Sequence, residues 1–235
     1  MALQTEETNV PARWNLAELL FGRGRFPEAR GLYEEILKAE NLPVAVDVTL
    51  LRLRLGVCCA AAGHRQRAAE ALNAACEGSV DPVILRESAR QFFNLERFGR
   101  AKTLFERAYE LSGGDAESAW LLAMFHLRVG DAKLRDLEQA AVFAEVAFTA
   151  KPDEPRFVST MAEVEHARRR NDKAAELMER ALKLLPDSEE FKKQLEEYRK
   201  EAIEEKPKPE EVTPKPAEEK PKPEEVTPKP EVPAQ

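Results

Sequence analysis

Small apolar residues recur along the chain at helical spacing. Ala29, Ala68, Ala101, Ala140 and Ala174 are separated by 39, 33, 39 and 34 residues. Four and seven residues after each stand further apolar or small positions: Tyr33 and Ile36, Leu72 and Ala75, Phe105 and Ala108, Ala144 and Ala147, Met178 and Ala181. Steps of four and seven fall on one face of an α-helix, so the pattern predicts five helices with the same buried stripe. Upstream of each lies a second helical run in which a large residue precedes a small one, as in Leu16-Ala17, Leu55-Gly56, Leu122-Ala123 and Met161-Ala162, with Ser88-Ala89 as the weaker case. A small side chain there lets two helices approach closely. Glycine-bearing turns such as Gly22 to Arg25, Gly63-His64 and Gly130-Asp131 separate the runs of a pair, and pairs end near Pro43, Pro82, Pro152 and Pro186. One helix pair cannot bury its own apolar face, so the recurrence predicts hairpins stacked in a line.

The unit resembles the tetratricopeptide repeat, whose pattern places an aromatic, Leu-Gly/Ala and Tyr in the first helix, then Gly, an aromatic and Ala in the second, and a closing Pro. The first unit carries the resemblance best, with Trp14, Leu16, Ala17 and Leu20 followed by Gly24, Phe26, Ala29, Tyr33 and Ile36. Trp14 falls one place later than the usual aromatic and Pro43 two places late. Residues 11–186 are covered; the departures are insertions near Asn41 to Val46 and Ala132 to Leu137, and Glu165 at a usually apolar place. The implied fold is all-α: a right-handed solenoid of about five hairpins whose first helices line a concave face.

After Pro186, Asp187-Ser188-Glu189-Glu190 is a helix-start signal, and Phe191, Leu195 and Tyr198 give a charged amphipathic helix over residues 187–203, read as a cap for the last hairpin. Nine of the 16 prolines lie in the last 35 residues, where EEKPKPEEVTPKP occurs at Glu204 to Pro216 and again at Glu218 to Pro230. This composition cannot bury a core, so residues 204–235 are expected to be a disordered, extended spacer; residues 1–10 are expected to be flexible.

Charge narrows the function classes. The chain has 36 basic and 43 acidic residues and a net charge of −7, which argues against a nucleic-acid surface built on phosphate neutralisation. Cys58, Cys59 and Cys76 are odd in number and at no metal or redox spacing, as expected of buried thiols in a reducing compartment. No secretion signal and no apolar run long enough to span a membrane is visible, so a cytoplasmic location is expected. The sequence lacks H-E-x-x-H, P-loop, nucleophile-elbow and C-x-x-C motifs. His64, His126 and His166 fall in different repeats. No enzyme activity, cofactor or metal site is expected.

The resemblance implies binding in the groove. Its inward positions correspond here to Trp14, Asn15 and Glu18, then Arg54 and Val57, then Arg86, Glu87, Arg90 and Asn94, then Trp120, Leu121, Met124 and Arg128. Arginine with aromatics suits a peptide that carries acidic and apolar anchors. Chaperone-binding members of the family clamp a terminal carboxylate with Lys and Asn; here Trp14, Glu18, Arg54, Val83 and Glu87 replace those residues, so that clamp is not expected. The expected function is a non-catalytic adaptor or scaffold for a protein or peptide segment. The alternatives are a structural subunit that self-associates through its helices and a regulatory fragment of an enzyme.

Overall fold

The computed structural model of the chain describes residues 9–39, 42–43 and 46–205. These residues form eleven α-helices and no strand. Five hairpins follow one another: α1 (Val10–Gly22) with α2 (Phe26–Leu37), α3 (Val48–Ala61) with α4 (Arg65–Cys76), α5 (Pro82–Asn94) with α6 (Phe98–Leu111), α7 (Ala116–Arg128) with α8 (Leu137–Ala150), and α9 (Pro155–Ala167) with α10 (Asn171–Leu184). A single helix, α11 (Glu189–Glu205), closes the array against α10. Each helix packs on the next, while α3 also meets α5 and α7 meets α9, so these first helices lie side by side on an inner layer. The extended tail expected from residue 204 lies, from residue 206 on, outside the described residues, as do residues 1–8 of the N-terminus.

The sequence stripe is the core. Ala29, Ala68, Ala101, Ala140 and Ala174 are fully buried, and so are Ala17, Ala89, Ala123 and Ala162 on the facing helices. Gly56 takes the same place in α3 with the closest approach: a Cβ there would stand 2.6 Å from Leu72 Cγ and 3.3 Å from the Leu72 backbone nitrogen. Between these seams, aromatic rings meet edge to face, as Phe93 does with Phe98 and Phe125.

The hairpin turns share one hydrogen-bond scheme. Gly24, Gly63, Glu96 and Arg169 each have positive φ, and the following residue donates its N–H back to the carbonyl five residues earlier: Arg25 to Leu20, His64 to Cys59, Arg97 to Phe92 and Arg170 to Glu165. This Schellman closure satisfies carbonyls that the helix end leaves unpaired. Two of the four positions are not glycine, which places Glu96 and Arg169 in strained left-handed backbone.

The fourth hairpin departs where the insertion falls. Its turn is pinned by Asp131 accepting from the Lys133 N–H, by Arg135 donating to the Val129 carbonyl, and by His126 Nδ1 set 3.3 Å from the Leu134 carbonyl. Burial against Phe125 and Phe143 pushes the His126 pKa down, so the ring stays neutral and donates from Nδ1.

Glu165 explains its own departure from pattern. The side chain is 1% exposed and meets Lys173 at 3.1 Å and Arg170 at 3.2 Å, with Arg168 at 3.9 Å. A buried carboxylate at an apolar place is tolerated because three cations surround it.

Candidate functional site

Along the inner layer, the side chains singled out from sequence divide into two groups. In the first two hairpins the charges are spent internally. Tyr33 donates its hydroxyl proton to Glu18 at 2.6 Å, Arg54 pairs with the same carboxylate at 3.3 Å, and its guanidinium lies 4.4 Å from the Phe21 ring centre. Burial and then the Glu18 carboxylate push the Tyr33 phenol upward, so it remains a donor. Trp14 is half-buried against Tyr33, and Asn15 is exposed.

Arg86 is similarly committed. Its Nη1 donates to Asp115 at 2.9 Å and to Ser118 Oγ at 3.0 Å, and the side chain is only 16% exposed. It therefore joins α5 to the start of α7. Asp115 also accepts from the Ser118 N–H at 2.7 Å. Burial alone would raise the Asp115 carboxyl, but those Ser118 bonds and the Arg86 charge hold it below its ordinary value.

The remaining residues converge. Arg90 and Asn94 from α5 and Trp120, Met124 and Arg128 from α7 surround a cavity of about 340 Å³, floored by Phe93, Leu121, Phe125 and Phe105 of α6. The volume and its mixed lining suit a recognition pocket. Trp120 is held in place by its Nε1–H donating to Thr160 at 2.9 Å, with Phe157 and the Arg156 guanidinium beside its ring. Arg128 reaches across to α9 and holds Glu163 through two Nη2 contacts of 2.6 and 2.7 Å. Arg90 is 58% exposed, and its ion-pair partner, Glu87 one turn earlier, is 3.6 Å away. It is the cation best able to turn toward a ligand. Glu87 also accepts from Gln91 at 2.9 Å. Phe105 reads as core in the sequence and Phe93 is not singled out there; the folded chain makes both pocket residues.

The three thiols are buried and unpaired by disulfide. Burial pushes Cys58 up to about 12 and raises Cys59 and Cys76, so burial disfavours the thiolate at all three. No helix among the described residues is long and apolar enough to cross a membrane.

This succession of stacked hairpins is the architecture of a helical-repeat solenoid. Residues 15–81 match the family model described as tetratricopeptide repeat, so that stretch of the chain carries tetratricopeptide repeats. Solved structures give the same fold for the greater part of the described helices. One is YrrB, described as a TPR protein with an unusual peptide-binding site, with 16% identity, a TM-score of 0.60, and 85% of this chain and 96% of that one covered. Another is a thermophilic TPR protein of Thermus thermophilus, with 17% identity, a TM-score of 0.58, and coverage of 83% and 99%. MamA from Desulfovibrio magneticus has 17% identity, a TM-score of 0.61, and coverage of 77% and 98%. No curated protein matches the sequence.

Proposed function

We propose that the protein is a non-catalytic adaptor that binds a peptide or protein segment in the cavity between α5 and α7. What supports this reading is the convergence of Arg90, Asn94, Trp120, Met124 and Arg128 on one cavity, where Arg90 is only loosely paired while Arg54, Arg86 and Arg128 are tied to carboxylates of their own chain. An apolar ligand side chain would displace water from Met124, Phe93 and Trp120. A ligand carboxylate would accept from Arg90, which gives up only a loose ion pair. The helices already hold the pocket, so ordering on the protein side costs little.

A displayed peptide library panned on the full chain should enrich segments pairing an acidic residue with an aromatic or branched apolar one. Met124→Glu should abolish their binding. Peptides that bind Met124→Glu as well as the wild type would sink the proposal. Concentration-dependent self-association in light scattering, with no enriched peptide, would favour the structural-subunit alternative.

A further inference from the structure

Away from the groove, the last turn of α9 faces two carboxylates of α11. Glu197 and Glu201 are four residues apart and share a helix face, and their ligand atoms and one imidazole nitrogen of His166 lie within 4.8 Å of one another. Like charges at this spacing repel, and among the described residues the contact of either with a basic group is that of Glu201 Oε2 with His166 Nδ1, at 3.7 Å. The imidazole is fixed in orientation. Tyr198 stacks on it with centroids 4.3 Å apart, and His166 Nδ1 sits 2.8 Å from Asn171 Oδ1. Asn171 is itself buried, and its Nδ2 donates to Glu201 Oε2 at 3.4 Å, which sets which end of the amide faces the ring. An amide oxygen only accepts, so Nδ1 carries a proton and Nε2 is the ring nitrogen left for a ligand. A buried polar group that orients both a histidine and a carboxylate is the outer-shell arrangement found around metal ligands. An independent sign lies one turn back on α11: Gln194 Oε1 is buried without a hydrogen-bond partner, and Gln194 lines the same shallow pocket as His166 and Glu197.

We propose that His166, Glu197 and Glu201 form a site for a divalent transition ion of the Zn²⁺ type, with Asn171 as a positioning residue. One imidazole nitrogen and two carboxylates suit Zn²⁺ better than Mg²⁺ or Ca²⁺, which take all-oxygen sets. Ligand distances of about 2.0–2.2 Å require the three groups to close in by roughly 1 Å, within the reach of glutamate rotamers. The bound ion would fasten α11 to α9, and a coordinated water would give the Gln194 oxygen its missing partner.

The test is calorimetric titration of the full chain with zinc chloride, alongside hydrogen exchange of α11 amides. One saturable equivalent is expected, with slower α11 exchange in its presence. The Glu197→Gln/Glu201→Gln double variant changes half-exposed or exposed surface side chains without altering their shape, and should weaken binding at least tenfold, as should His166→Ala. Asn171→Ala should weaken it by about tenfold through lost positioning. Absence of saturable binding, equal affinity in the double variant, or equal binding of magnesium and zinc would each overturn the assignment.

Discussion

The inner faces of α1 and α3 and of α5 and α7 are built from similar residues, yet their charges are paired differently. In the first region, Glu18 accepts from Tyr33 and pairs with Arg54, whose guanidinium lies over Phe21, and together they close the wall. In the second, Arg86 is bound to Asp115, but one turn later Arg90 projects beside an open apolar cavity. A charged inward residue is therefore free to meet a ligand only where its own chain leaves its charge loosely paired. The two arginines of α5, a single turn apart, illustrate both outcomes.

The largest way to stress the closed region is alkaline pH, because Cys58, Cys59 and Cys76 are packed in α3 and α4. The Cys58 thiol moves from 9.0 to about 12 on burial, so above pH 9.0 the folded state keeps a proton that the unfolded chain releases. Its stabilisation is complete below that value and is lost as pH rises toward the folded value, at about 1.4 kcal/mol per pH unit for this thiol. Cys59 and Cys76 act in the same direction. Urea unfolding followed across this range should show the decline; a level profile would contradict the burial argument.

Gly56→Ala tests the same region sterically. The methyl would meet Leu72, and overpacking outweighs the helix-propensity gain of about 1 kcal/mol, for a net loss of about 1–2 kcal/mol in thermal unfolding. Ala123, at the equivalent place in α7, already accommodates its methyl group fully buried. The comparison sharpens further with single arginine variants: Arg90→Ala should weaken a groove peptide by about tenfold, or about 1.4 kcal/mol, without loss of stability, whereas Arg54→Ala should lower stability and leave the affinity unchanged. Smallest is the turn effect. Glu96→Gly relieves a positive φ of 60° and should stabilise the α5–α6 hairpin by about 0.5–1 kcal/mol, and Gly63→Ala at the matching turn should do the reverse.

Much of this was legible in the sequence because the repeat writes its core in small residues: every alanine of the stripe from Ala29 to Ala174 is buried, and Gly56 marks the tightest crossing. The groove was legible as a set of positions, of which Arg90, Asn94, Trp120, Met124 and Arg128 come together. Sequence could not separate Arg86 from Arg90, because the difference lies in Asp115 and Ser118, which sit some thirty residues away in the next hairpin. The His166 cluster left no sequence signal either. Its carboxylates belong to α11, outside the repeats, and its positioning residue, Asn171, reads as an ordinary helix start.

The chain has two tryptophans, and one reports on each region: Trp14 packs on Tyr33 in the closed wall, while Trp120 lines the cavity. A proton–nitrogen NMR spectrum recorded while a library-selected peptide is added reads both indole signals in one experiment. With a ligand seated between α5 and α7, the Trp120 Nε1–H resonance should move and that of Trp14 stay. Movement of Trp14 with Trp120 unchanged would contradict binding there.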